Sequence, residues 1–479
     1  MQKFPSGPRS YLVAPLACLT AAALALSACS SSSTGNAAAT TSASSVAAGT
    51  TSAAPPASIG SSAASSAAPP ASSAPGSSSP GSSSPGSSTA AASGFKADTS
   101  QCDDPASATK VITGTYKIGY SAPLSGPVAG VVTFALDGYK ARIAAENAKG
   151  GINGVKIEVS FKDDAFAPDK AKANEVQFIQ SDKVDSLVTF GSGPVGAMAD
   201  DQNAACIPLL YPSSSVQQYR DISQYPWTVQ FLPAGDAEAR YDVGVIMKKF
   251  PNGAKVGIAE SQTASGKGES EAFQAAAKGT NLTISVIAPS TDPNAAATAL
   301  KAANVDAVYT AGITTDCGPV VQAMGRVGFT PKLVVNPSNC ADGTAYVAAG
   351  AAADGNVIPK YLKDPGDPAL ANDAGVKDYL SQVTTADKNN TITVAGWTTA
   401  DLTINTLKQA ASSAAGLTHA SVIEAARDQK YSSPMLINGI NWVSTPTVLT
   451  GFDAFQTFVW SAATKTFKAD GALISVASK

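Results

Sequence analysis

Beyond residue 95 the apolar positions of the chain fall alternately into two periods. Tyr116–Tyr120 and Val155–Phe161 alternate as strands, and Ser186–Phe190 and Ile207–Tyr211 are short apolar runs of strand length. Between them, residues 131–148, 168–181 and 195–205 carry apolar side chains at helical spacing, as Ala171, Val176 and Ile179 do. Residues 147–154, with three Gly and two Asn, form a turn by composition. The order strand, helix, strand, with connections too long for hairpins, predicts a parallel sheet covered by helices on both faces. After Leu232 and Pro233 the rhythm restarts. Helices over 237–250, 268–279, 294–303 and 318–327 alternate with strands over 255–259, 282–287, 307–310 and 333–335. Two such units predict two doubly wound α/β lobes. Ligands of such sheets sit at the carboxyl ends of the strands, so the expected small-molecule site is a cleft between the lobes.

The pattern before residue 95 is different. Lys3 and Arg9 precede an apolar run, Leu12–Leu26, that ends in Leu26-Ser27-Ala28-Cys29, which reads as an export signal. Pro15 and the dilution by Ala, Ser and Thr argue against a membrane span. The Leu-Ser-Ala-Cys run resembles a bacterial lipobox, which implies cleavage before Cys29 and a diacylglyceryl group on its sulfur; two chains suffice for stable anchoring. From Ser30 to Ser93 every residue is Ser, Ala, Pro, Gly or Thr except Asn36, Val46 and Ile59. Such a stretch cannot bury a core and reads as a tether, or as an O-glycosylated stalk. As a flexible coil it spans about 40–50 Å.

Charge and cysteine content narrow the function. Lys3 and Arg9 are the only charges before Lys96, so the remainder holds 31 basic against 36 acidic side chains, a net charge of −5. No basic stripe is available for phosphates, which excludes nucleic acid as a partner. Cys102, Cys206, Cys317 and Cys340 are an even number in an exported chain and point to disulfides. Of the three possible pairings, Cys317 with Cys340 and Cys102 with Cys206 is the expected one, because Cys317 and Cys340 both follow carboxyl ends of successive predicted strands. No CxxC spacing supports a zinc site, and no cofactor is expected. His419, the single histidine, lies at an expected helix start and is expected at the surface. No Gly-x-Ser-x-Gly elbow occurs, and Ser265-Gly-Lys-Gly268 lacks the earlier Gly of a phosphate-binding loop, so no enzyme is expected. Asp163-Asp164 and Asp200-Asp201 read as turn and helix-surface residues.

Several motifs occur in an order that resembles the type I periplasmic binding proteins, and among them the branched-chain amino acid binding proteins of ABC importers. They are Ala122-Pro-Leu-Ser-Gly-Pro127, Glu146-Asn-Ala-Lys-Gly-Gly-Ile-Asn-Gly154, Lys162-Asp-Asp-Ala165, Pro168 with Lys170-Ala171, and Ala264-Ser-Gly-Lys-Gly268. Val305-Asp-Ala-Val-Tyr309, Arg326-Val-Gly328, Gly439-Ile-Asn-Trp442 and Gly451-Phe452 continue the match, which covers roughly 116–467. The resemblance implies three passages between the lobes, near Leu232, Pro359 and Trp442. It divides the chain into a signal over 1–28, a lipidated tether over 29–95, a first lobe of 96–232 plus 361–441, and a second of 233–360 plus 442–479. It also implies a ligand site from Ser192 and Gly193, from Ser213, Ser214 and Ser215, and, in the second lobe, from Ser265, Thr314 and Ser338. Ser265 and Thr314 stand where relatives often carry an aromatic residue. Ser338 stands where amino acid binders place the carboxylate that holds an ammonium, a role open here to Asp316 or Asp342. Phe166 and Gly191 replace a bridge found in some relatives. The expected function is a lipid-anchored extracytoplasmic receptor that passes a small polar ligand (an amino acid, an amide or a small carboxylate) to the permease of an ABC importer. A sensor ectodomain or an enzyme on the same lobes is the alternative.

Overall fold

Strand and helix alternate in the computed structural model, which describes residues 94–476, much as the periodicity demands. The signal, Cys29 and all of the tether but Gly94 and Phe95 lie outside these residues. A short helix α1 (Pro105–Thr109) leads into β1 (Thr115–Ala122), α2 (Ala129–Ala148), β2 (Lys156–Asp163), α3 (Pro168–Gln177), β3 (Ser186–Thr189), α4 (Ser192–Ala204), β4 (Leu209–Leu210) and β5 (Thr228–Val229). These five strands form a parallel sheet in the order β2-β1-β3-β4-β5. The second lobe continues with α5 (Gly235–Lys249), β6 (Ala254–Glu260), α6 (Ala264–Ala277), β7 (Leu282–Pro289), α7 (Pro293–Ala302), β8 (Ala307–Ala311), α8 (Thr314–Arg326), β9 (Leu333–Val335), α9 (Gly343–Ala349) and β10 (Val357–Lys360). The chain then returns to the first lobe through α10 (Ala374–Gln382), α11 (Thr391–Ala411) and α12 (His419–Arg427). A small antiparallel sheet of β11 (Gln429–Tyr431), β12 (Trp442–Ser444) and β13 (Leu449–Phe452) precedes the hairpin of β14 (Ala454–Ser461) and β15 (Thr466–Ser475). The hairpin completes the second sheet, ordered β15-β14-β10-β9-β8-β6-β7, whose members from β10 to β7 run parallel. The molecule is therefore bilobed, with two parallel-sheet cores. No helix of the described residues is long and apolar enough to cross a membrane.

Close contacts pin the helices of the first lobe to one another. Helices α2 and α11 approach backbone to backbone, because a Cβ on Gly138 would stand 2.0 Å from the Thr393 carbonyl oxygen and one on Gly396 would stand 1.8 Å from that of Ala135. Arg142, on α2, reaches across the same seam to Asp401 at 2.8 Å, and Tyr431 and Ser433 also donate to that carboxylate. The disulfide Cys102–Cys206 ties the segment before α1 to the end of α4. His419 is the first residue of α12 but is buried rather than at the surface, its Nε2 3.5 Å from Asp185 Oδ1. It packs there because the amphipathic α12 turns that face inward, with Val422, Ile423 and Ala426 alongside.

The lobes are joined where aromatic rings from three segments meet. Phe231 precedes the first passage, Tyr361 follows β10, and Phe452 ends β13; Tyr361 stacks on Phe452 with centroids 3.8 Å apart, and Phe231 meets Phe452 edge-on at 5.5 Å. Trp442 Nε1 donates to the Phe231 carbonyl at 3.2 Å. Arg220, buried among them, donates to the carbonyls of Leu232 at 2.6 Å, Pro233 at 3.0 Å and Leu449 at 3.1 Å. Burial without a paired carboxylate pushes its pKa down to about 9.

Candidate functional site

The carboxyl ends of β3, β4, β6, β8 and β9 converge on one cavity. In the first lobe β3 ends at Thr189, and Gly191 turns the chain into α4 with φ +98°. A Cβ on Gly191 would lie 2.4 Å from the Phe166 ring, so glycine is required both by conformation and by space. The neighbouring 163–166 turn is held by Asp163, which accepts from the Leu124, Ser125 and Ala165 amides and from the Ser125 hydroxyl. The Ser125 hydroxyl and the Ala165 amide bring its pKa down to about 2. Asp164 is buried instead of exposed, accepting from Ser121 Oγ at 2.7 Å and from the Phe166 amide at 2.8 Å. Beyond β4, the Gly191 amide donates to the Ser213 carbonyl at 3.0 Å and so fixes the two first-lobe loops side by side.

The second lobe supplies two more helix starts. Thr263 caps α6 by accepting from the Gly266 amide at 3.1 Å, and at α8 the Asp316 carboxylate accepts from the Ile313 amide at 3.2 Å. A Cβ on Gly266 would come within 2.5 Å of Ser261, so the α6 start lies close against the end of β6. The disulfide Cys317–Cys340 joins the first turn of α8 to the Ser338–Cys340 turn that comes after β9.

Where do the sequence-derived residues fall? Ser213, Ser265, Thr314 and Ser338 line the cavity. Ser192 and Ser214 stand behind its wall, where Ser192 Oγ lies 3.0 Å from Ser214 Oγ and 2.9 Å from Ser265 Oγ. The second of these contacts crosses between the lobes. Gly193 packs near Pro168, and Ser215 is buried with its carbonyl accepting from the Gly235 amide at 3.2 Å. Thr314 uses its hydroxyl to hold the Asn339 carbonyl. Ser338 Oγ is buried and makes no well-formed hydrogen bond within the protein. Of the two acids considered for an ammonium, Asp342 lines the cavity and Asp316 does not. Asp342 caps α9, accepting from the Thr344 amide at 3.0 Å and its hydroxyl at 2.8 Å.

Sequence reasoning missed most of the wall. The cavity has a volume of about 110 Å³ as a water-sized sphere explores it, and Tyr120, Phe166, Phe190, Phe231, Tyr361 and Ile392 supply its apolar surface. A signal for them existed: Tyr120 and Phe190 are the last apolar residues of their predicted strands, which is where ligands of this architecture bind. Behind Ser338 and Asn339 lies a second unexpected feature, a buried group of Glu238, Asp242 and Glu269. Glu238 accepts from the Ser338 amide and Glu269 from Asn339 Nδ2 at 2.7 Å. Burial, and then repulsion among the three, raises the pKa of Asp242 and Glu269 well above the usual carboxylate range. Among the described residues no group of three His, Cys, Asp or Glu side chains is arranged to hold a metal ion.

This architecture has known counterparts. The chain is 26% identical over 228 residues to an amino acid binding protein of Pseudomonas aeruginosa, covering 45% of this chain and 57% of that one. It thus spans little more than half the length of that relative. A Leu/Ile/Val-binding protein of Rhizobium johnstonii is 26% identical over 285 residues, 56% of this chain and 74% of its own. The crystal structure of a branched-chain amino acid ABC transporter protein from Thermus thermophilus with bound valine superposes with a TM-score of 0.67 over 76% of this chain and 97% of that one, at 13% identity. The model of the periplasmic binding protein family matches residues 115–464, nearly the whole of both lobes, and this chain belongs to that family.

Proposed function

We propose that the protein is a lipid-anchored receptor on the extracytoplasmic face of the cell membrane that captures a small polar ligand, an amino acid, an amide or a small carboxylate, and passes it to the permease of an ABC importer. The observation that carries the reading is the cavity between the lobes, with hydroxyl-bearing residues contributed by both: Ser213 from the first, and Ser265, Thr314 and Ser338 from the second. A site divided between two bodies binds by closing them, and closure is the change that a permease can sense. Family membership supports a receptor over an enzyme or a sensor ectodomain.

Ligand binding raises the melting temperature by mass action, so a thermal-shift panel of amino acids, amides, organic acids and sugars tests the reading. Binding without turnover is expected, and conversion of any bound compound to product would refute it. The anchor is tested separately. The Leu26-Ser-Ala-Cys29 run predicts a diacylglyceryl Cys29 at the mature N-terminus, so Cys29→Ser should release or misprocess the protein. Mass spectrometry that finds an unmodified N-terminus on the membrane-bound form would refute the anchor.

A further inference from the structure

Of the three proposed ligand classes the cavity selects one, an inference that rests on the receptor reading. We infer that the ligand is a carboxylate without an ammonium group, carried on an apolar body of the kind found in branched or straight-chain monocarboxylic acids and arylacetic acids.

Three observations support this. First, no free acid faces the cavity. Asp342, the one carboxylate of its wall, has an oxygen on the Thr344 amide and the other on the Thr344 hydroxyl. Glu238 and Glu269 sit behind Ser338 and Asn339, each accepting a hydrogen bond from one of them, and neither is part of the wall around the space a ligand would fill. An ammonium closed into this site would lose its water for no more than a share of a carboxylate that already holds Thr344, a poor exchange in a buried setting. Second, the donors suit an anion. The starts of α4, α6 and α8, helices of 13, 14 and 13 residues, all border the cavity, and first-turn amides have no partner within their own helix. Beside them Ser338 is 94% buried, and its hydroxyl, near Glu238 and Tyr361, makes no well-formed hydrogen bond within the protein and can turn to a carboxylate oxygen. Lys360, the one basic residue of the wall, has its ammonium over the rings of Phe458 and Phe467, 4.9 and 5.3 Å from their centroids, rather than against a carboxylate. Third, much of the rest of the wall is aromatic and aliphatic, which suits an apolar body on the ligand.

The test is calorimetry on the full chain carrying Cys29→Ser, with leucine and 4-methylpentanoate as the matched pair, since these differ only by the amino group. The carboxylate is expected to bind at least tenfold more tightly than leucine. Along the series from butanoate to octanoate, affinity should rise by about fourfold per methylene until the cavity is filled. Ser338→Asp, which restores an acid where amino acid binders have one, should reverse the preference within the pair. Tighter binding of leucine than of 4-methylpentanoate by the unsubstituted chain would overturn the inference and leave the receptor reading intact. Binding of a sugar or polyol in preference to either would overturn the apolar body in the same way. If no amino acid, carboxylate, amide or sugar binds, the receptor reading itself fails. Should Ser338→Asp not fold, the matched pair and the series decide the matter without it.

Discussion

The hydroxyl contact between Ser192 and Ser265 is the most direct handle on how the two lobes close. Ser192 Oγ sits between Ser214 Oγ at 3.0 Å and Ser265 Oγ at 2.9 Å, and all three residues are buried. Only the contact to Ser265 crosses between lobes, so it exists when the cleft is shut and is replaced by water when it opens. A neutral hydrogen bond contributes about 1 kcal/mol net, which corresponds to a factor of about five in the balance of closed and open forms. Because binding is coupled to closure, Ser265→Ala should raise the dissociation constant of a cleft ligand by about fivefold and leave first-lobe stability unchanged. Ser192→Ala should give the same loss of affinity. It also strands the Ser214 hydroxyl in a fully buried position, which costs a further ~1–3 kcal/mol in urea unfolding. Calorimetry for the affinity, with energy transfer between dyes on the two lobes for the closure, reads both effects. If Ser265→Ala changes affinity by less than about twofold and leaves the closed population where it was, the contact does not gate closure and the reasoning is wrong.

Three other outcomes concern the hinge, the disulfides and the buried acids. Arg220→Met leaves the carbonyls of Leu232, Pro233 and Leu449 without their donor, and should destabilise the protein by about 3–5 kcal/mol in urea melts; a change below about 1 kcal/mol would refute the role. Replacing Cys317 and Cys340 together by Ser opens a loop of separation 23 and should cost about 3 kcal/mol, less than the same change at Cys102 and Cys206, separation 104, at about 4.7 kcal/mol. Equilibrium unfolding that ranks the two pairs the other way would refute the chain-entropy argument. Burial raises the pKa of Asp242 and Glu269, and pushes Glu175 up to about 7. A carboxyl whose folded pKa exceeds its unfolded one binds its proton more tightly when folded, so its contribution is complete below the unfolded pKa, roughly 4, and is lost as pH rises through the folded value. The melting temperature should therefore fall between about pH 5 and pH 8, and Asp242→Asn should flatten the slope; a melting temperature that climbs over that range would contradict it.

How far this was readable beforehand differs between the sheets and the site. Strands were legible because their apolar runs are bounded by turn residues, and β9 occupies the 333–335 run that periodicity picks out. Helices α4, α6 and α8 begin three or four residues before the stretches predicted for them, at Ser192, Ala264 and Thr314. Their first turns are Ser-Gly-Pro, Ala-Ser-Gly and Thr-Thr-Asp, which have no apolar period and read as loops. The same small residues let two lobes approach each other, so the feature that makes the site also conceals it. Helix α11 left no clear stripe for a different reason. It is buried nearly all round, and its threonines at 398, 399 and 403 satisfy their hydroxyls on carbonyls four residues back, at 2.8, 2.9 and 2.9 Å. Polar letters there occupy core positions. The cavity wall was hidden by the opposite error, since Tyr120, Phe231 and Tyr361 look like ordinary core residues until the strand ends are placed.

The seam between α2 and α11 also orders the events of synthesis. Arg142 and Asp401 are 259 residues apart, and the two glycines that permit the close approach are separated almost as widely. As the chain is made from its N-terminus, the strands of the first sheet are complete long before the helix that must cover it arrives. The stretch from α5 to β10, by contrast, brings its own strands and helices together from neighbouring sequence, and local pairing is the faster process. The parallel part of the second sheet, β6 to β10, is thus poised to form first and to take up its edge hairpin β14–β15 later, while the lobe that begins the chain waits with an uncovered face for α11. A nascent chain stalled between β10 and α11 should be protected from protease over 235–360 and open to it over 115–229.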